Sequence, residues 1–101
     1  MLHDKETRSA MRVLDVVELI SGFAVSGVSN KSISVTLDIN PANTTRIMQL
    51  LIDKGWARKD EKTGHFFPTP RMADVFGRVL ADIGRAKQQL ADIEHNFSLK
   101  H

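Results

Sequence analysis

Ala42, Asn43, Thr45, Arg46 and Gln49 follow an Asn40-Pro41 pair, and over about two turns of a helix they share one polar, basic side. Side chains of these types can read the edges of base pairs. The Arg46 guanidinium can donate two parallel hydrogen bonds to guanine O6 and N7, and the amides of Asn43 and Gln49 match adenine N6 and N7. Thr45 suits a phosphate oxygen or a thymine methyl group. The competing structural roles are a salt bridge from Arg46 to Asp53 or Glu18 and plain solvated helix surface for Asn43 and Gln49. Further cations are placed to act as phosphate anchors. Lys31 and Arg12 lie on the preceding helical segments, and Lys59, Lys62 and His65 surround a glycine-containing turn.

Other chemistries find little footing. A nucleophile needs a base held at hydrogen-bond distance, and the chain has no Cys, no Gly-x-Ser-x-Gly elbow and no glycine-rich phosphate loop. The chain is therefore not expected to be an enzyme. His3, His65, His95 and His101 have no short mutual spacing of the kind that builds a metal site, so no metal or cofactor is expected. Asp15 and Glu18, like Asp60 and Glu61, read as solvated surface carboxylates.

The chain has 101 residues, 42% hydrophobic and 26% charged, which is the size of one small domain. A chain this short buries only about two-thirds of its unfolded surface, so a large enclosed cavity is not expected and a second subunit would add stability. No window approaches the roughly 20 apolar residues of a membrane span, and the charged start is unlike a signal peptide. A cytoplasmic protein is expected. The formal net charge is only +2, but it is unevenly distributed. Residues 1–40 carry four basic against five acidic side chains, 41–71 carry six against three, and 72–101 carry four of each. Positive charge gathers in the middle third, which is compatible with a polyanionic partner.

These residues must be positioned by helices. Residues 1–7 read as an N-terminal tail and 8–21 as a first helix, with Thr7 or Ser9 as cap and Ala10, Val13, Leu14, Val17 and Ile20 facing inward. Residues 28–39 are ambiguous. Ile33, Val35, Leu37 and Ile39 alternate as in a strand, whereas Ser29 is a good N-cap and Ile33 and Leu37 share a helical face. A short helix is expected because the surrounding pattern needs one. The next segment is specified at both ends, with Asn40 as cap, Pro41 at the first helical position, Lys54 near the negative end and Gly55 as the stop. Its inward stripe is Thr44, Ile47, Met48 and Leu51. Trp56–Asp60 and His65–Thr69 then read as a β-hairpin, in which Trp56, Phe66 and Phe67 supply packing groups and Pro68 confines its strand to an edge.

From Pro70 onward a long C-terminal helix is expected. Phe76, Ile83, Leu90 and Phe97 recur every seven residues, and Met72, Val79, Ala86 and Ile93 occupy the intervening positions, giving about three heptads. This stripe is expected to form a homodimer seam, with Asp82 and Lys87 able to pair across parallel strands. The competing role is packing on the chain's own first helix.

Helix, short helix, tight turn, well-capped helix, hairpin and long helix together have the layout of a winged helix-turn-helix: a mainly α fold with a three-helix core and a β-hairpin wing over residues 8–69, and a long C-terminal helix over 70–101. The stretches Arg8–Ile20, Leu37–Met48 and Gly55-Trp56 with the Thr63-Gly64 turn resemble the N-terminal DNA-binding domain of IclR-type transcriptional regulators over roughly residues 8–75. That resemblance implies that the segment matching Ala42–Gln49 is the recognition helix and that the segment matching Arg58–Phe67 is the wing. Three departures stand out. The larger effector-binding domain of such regulators is not expected here, Asp38 stands where the inter-helix turn commonly has Gly, and Asp60-Glu61 put negative charge at the hairpin tip.

The expected function is sequence-specific binding of double-stranded DNA by a small transcriptional regulator. The alternative is a winged-helix adaptor that binds protein through the Trp56/Phe66 side or the Phe76–Phe97 seam. Single-stranded DNA or RNA binding ranks lower, because it calls for an exposed aromatic platform and the aromatics are expected in the core.

Overall fold

The computed structural model describes residues 4–99. The elements are α1 (Lys5–Ser21), α2 (Asn30–Leu37), α3 (Pro41–Asp53), β1 (Ala57–Lys59), β2 (Phe66–Pro68) and α4 (Pro70–Leu99). The fold is thus mainly helical, with a small two-stranded antiparallel sheet and a long C-terminal helix.

The first helix begins earlier than its composition suggests. Asp4 is its N-cap, with Oδ1 accepting the Thr7 N–H at 2.7 Å, and these bonds hold the Asp4 carboxyl below its ordinary range. Lys5–Thr7 are consequently helical rather than tail, and the Ser9 hydroxyl donates back to the Lys5 carbonyl instead of capping. The inward face also turns slightly. Val16, Val17 and Ile20 are buried, Val13 is half-buried, and Ala10 and Leu14 are exposed.

The ambiguous segment resolves as helix α2, capped by Ser29 through the Ser32 N–H. Helical periodicity sends Ile33 inward and leaves Val35 exposed, and Ile39 is buried only after the helix has ended. Asp38 ends α2 in the left-handed region at φ 53°, and the Ile39 N–H returns to the Ser34 carbonyl at 3.0 Å. The chain re-enters a helix at Pro41, three residues later. Asn40 caps α3 by accepting the Asn43 N–H at 2.8 Å, and Pro41 takes the first turn. Where α2 meets α3, the buried hydroxyls of Ser34 and Thr44 lie 2.9 Å apart, and carbonyls of Asn30 and Asn40 accept from them.

The core combines Val16, Val17 and Ile20 of α1 with Ile33, Met48, Leu51, Phe66 and Met72. Phe66 is tied in further by a bridge to Val28, with N···O distances of 2.9 and 2.8 Å. This long-range pairing brings the loop after α1 onto the sheet. Buried at 6% exposure, Phe66 is not available to a protein partner. Met72 corrects another expectation: at 2% exposure it belongs to this core and not to a homodimer seam.

Beyond Val75 and Gly77, which are half-buried, the described part of α4 leaves the body of the fold, and every residue from Arg78 to Leu99 is exposed. The molecule accordingly measures 65 × 40 × 22 Å, with a radius of gyration of 19.5 Å. A compact chain of about 100 residues would have one near 13 Å. From Val79 to Phe97 the heptad stripe is exposed and does not pack on α1.

Candidate functional site

Ala42, Thr45, Arg46 and Gln49 are exposed on α3 and Asn43 is half-buried beside them. Their side chains are locally organised. Arg46 donates to Asn43 Oδ1 at 2.9 Å, rather than to Asp53 or Glu18, and Gln49 donates to Asp53 at 2.9 Å. The Thr45 hydroxyl is 3.0 Å from the Pro41 carbonyl, which also accepts from the Asn30 amide at 3.3 Å. Short side-chain pairs of this kind hold the donors in a defined array without burying them.

Asn43, Arg46 and Ile47 form one wall of an open groove of about 610 Å³, and Lys5, Arg8, Ser9, Arg12 and Val13 of α1 form the other. Four cations thus meet around one concavity, and no carboxylate is among the described residues that line it. A concave site lined by one sign of charge concentrates the opposite charge. The groove also adjoins the N-terminal half of α3, whose dipole favours anions.

Of the anticipated residues, Arg12, Asn43 and Arg46 come together in this groove. Lys31 is exposed on the first turn of α2 and does not line it, and Lys59, Lys62 and His65 sit apart on the hairpin. Lys5 and Arg8 are groove residues that the sequence reading misses. Their signal is nonetheless present, since positions 5, 8 and 12 are spaced by three and four residues and share a helical face once the helix is known to start at Lys5.

The hairpin tip is organised by one of its acidic residues. Asp60 accepts from the Lys62 N–H at 3.1 Å and from the Thr63 hydroxyl at 3.0 Å, which depresses its pKa; Arg58 and His65 add smaller contributions in the same direction. Asp60 is therefore a turn-forming group rather than a freely solvated one, and its charge is partly offset by neighbouring donors. Lys59 and Lys62 remain exposed and His65 is half-buried. On the sheet, the Arg58 guanidinium lies 4.4 Å from the centre of the Phe67 ring, and the same ring stands so close to Gly27 that a Cβ added there would come within 2.6 Å of it. Phe67 thereby clamps the hairpin to the loop after α1. Not all aromatics are in the core: Phe76 and Phe97 are 45% and 62% exposed.

Among the described residues no group of three or more His, Cys, Asp or Glu side chains could hold a metal ion, and no helix is long and apolar enough to cross a membrane. His3 and His101 lie outside the described residues. Comparisons with protein-family models, curated proteins and solved structures returned no match.

Proposed function

We propose that this chain is a winged helix-turn-helix protein that binds double-stranded DNA in a sequence-dependent way, as a small transcriptional regulator. The observation that carries the reading is the convergence of Lys5, Arg8 and Arg12 with Arg46 and Asn43 around one groove. The B-DNA major groove is about 12 Å wide and admits a single helix, and α3 presents its outward face at its N-terminal half, where base edges are reached. With α3 inserted, the basic face of α1 meets the phosphates of the flanking strand. The order of elements supports the fold assignment: α2 and α3 are joined by Asp38–Asn40, and the hairpin follows directly.

The division of labour follows from side-chain chemistry. Lys5, Arg8 and Arg12 supply a salt-dependent attraction that ignores sequence, with Lys31, exposed on α2, as a further phosphate anchor. Asn43, Arg46 and Gln49 supply discrimination between base pairs, and binding exchanges their present side-chain partners for base edges. Lys59, Lys62 and His65 place the hairpin as an auxiliary backbone contact. Selection from a random duplex library tests the proposal. Enrichment of a defined motif is expected; recovery of unselected sequences would refute base readout, and no retention of duplex at all would favour the protein-adaptor reading.

A further inference from the structure

Outside the core, α4 carries most of its large apolar residues on one narrow line, with Leu80 and Leu99 off it. Ile83, Leu90 and Phe97 are 47%, 58% and 62% exposed, and Val79 and Ile93 between them are 58% and 52% exposed. A lone helix with this much uncovered apolar surface has no tertiary packing to hold it, and isolated helices are marginal in water. The spacing of three and four residues is that of a coiled-coil seam. We infer that the partner of this face is a second copy of α4, aligned parallel and in register as a two-stranded coiled coil.

The flanking positions argue for two strands and for the parallel alignment. In the C-terminal half the residues beside the seam are Asp82, Lys87, Gln89 and Glu94, so the apolar line is only as wide as a two-stranded seam requires. In a parallel pair Asp82 of one copy faces Lys87 of the other, twice by symmetry, and Val75 faces Leu80. That apolar flank gives Leu80, 72% exposed in the single chain, a place to be covered. Antiparallel alignment with full overlap sets Lys87 against Leu80 and Asp82 against Gln89, and forms no ion pair. A shift by one heptad brings Lys87 against Lys87. Charge and apolar width therefore favour the same alignment.

The seam starts at Phe76, whose ring packs edge-on against Trp56 at 6.5 Å between centroids. Two copies of the α1–α3 body are consequently held side by side at one end of the coil, related by a two-fold axis along it. Antiparallel strands would set them at opposite ends, separated by about 30 Å of helix. The arrangement does not depend on the proposed DNA binding and is measured without nucleic acid.

The chain contains no Cys, so a single introduced thiol reports orientation directly. Light scattering of the full chain at micromolar concentration is expected to give twice the chain mass. Val79→Cys and Ile93→Cys are each expected to form a disulfide with the same position of the second copy, because only parallel strands bring both positions face to face with themselves. Ile83→Asp should give a monomer with unchanged Trp56 emission, since the core is left intact. Asp82→Lys should weaken the dimer roughly 5- to 30-fold, and adding Lys87→Asp should restore it. A monomer at high micromolar concentration, a trimeric or tetrameric mass, or a disulfide that forms only when the Val79→Cys and Leu90→Cys variants are mixed would overturn the inference.

Discussion

Gly27→Ala probes how the hairpin is held. Gly27 has φ 70°, and an added Cβ would stand 2.6, 2.7 and 3.0 Å from three atoms of the Phe67 ring. The left-handed backbone alone costs an L-residue about 1–2 kcal/mol. Displacing the ring forfeits its contact with Arg58, about 0.5–1 kcal/mol, and adds overpacking of about 1 kcal/mol or more. Reduced freedom of the unfolded chain offsets about 0.4–1 kcal/mol. The net expectation is a loss of about 2–3 kcal/mol. Gly64 is the internal control, because it has φ 74° and nothing within 4 Å of the position an added Cβ would take, so Gly64→Ala should cost only about 1 kcal/mol. Urea denaturation followed by Trp56 fluorescence measures both. In the double variant Gly27→Ala, Phe67→Ala the clash is absent and the Arg58 contact is lost only once, so the two costs should fall short of additivity by about 1.5–2 kcal/mol. Equal losses at Gly27 and Gly64, or strict additivity with Phe67→Ala, would refute the clamp.

Three further expectations follow from particular groups. Thr44→Val keeps the buried shape but removes the hydroxyl shared with Ser34, and should lower stability by about 1 kcal/mol in the same denaturation assay. Asp38→Gly relieves a left-handed residue and should raise stability by about 0.5 kcal/mol, while removing a negative charge beside α3. Because the folded-state pKa of Asp60 is lowered, its contribution is present above the ordinary carboxylate range and is lost as pH falls through the depressed value. Stability measured from about pH 6 down to about pH 2 should therefore fall less steeply in Asp60→Ala than in the parent chain.

Local signals make α3 legible in the sequence. Asn40, Pro41 and Gly55 act within their own turns, and each does in the structure what its type suggests. At α2 two periodicities compete over Ile33, Val35, Leu37 and Ile39. The helix prevails because Ser29 and Asp38 fix its ends, and because the long-range partner that a strand would need is taken by Val28 alone. That bridge to Phe66 joins residues far apart in the chain and leaves no local signature. The start of α1 is hard to place because Asp4-Lys5-Glu6 resembles a solvated tail in composition, although Asp4 is a capping type. The same ambiguity hides half of the groove, since Lys5 and Arg8 gain meaning only when they share a face with Arg12. In the hairpin the acidic tip looks unfavourable for a polyanion, whereas Asp60 is engaged in making the turn. The heptad stripe is visible, but periodicity does not reveal where a helix leaves the core, and it places Met72 on the seam.

The salt dependence of duplex binding bears most directly on the central claim that the α1–α3 groove receives phosphates. With three or four phosphate contacts per chain, log K should fall against log salt concentration with a slope of about −3 to −4 for each chain bound, a loss of about 100-fold per chain between 50 and 200 mM salt and about 10⁴-fold for the dimer. Arg12→Ala should make the slope shallower by about one for duplexes of any sequence, whereas Arg46→Ala should cost about 1–3 kcal/mol on a selected site and little on a random one. A slope near zero, or one that neither substitution changes, would contradict the account.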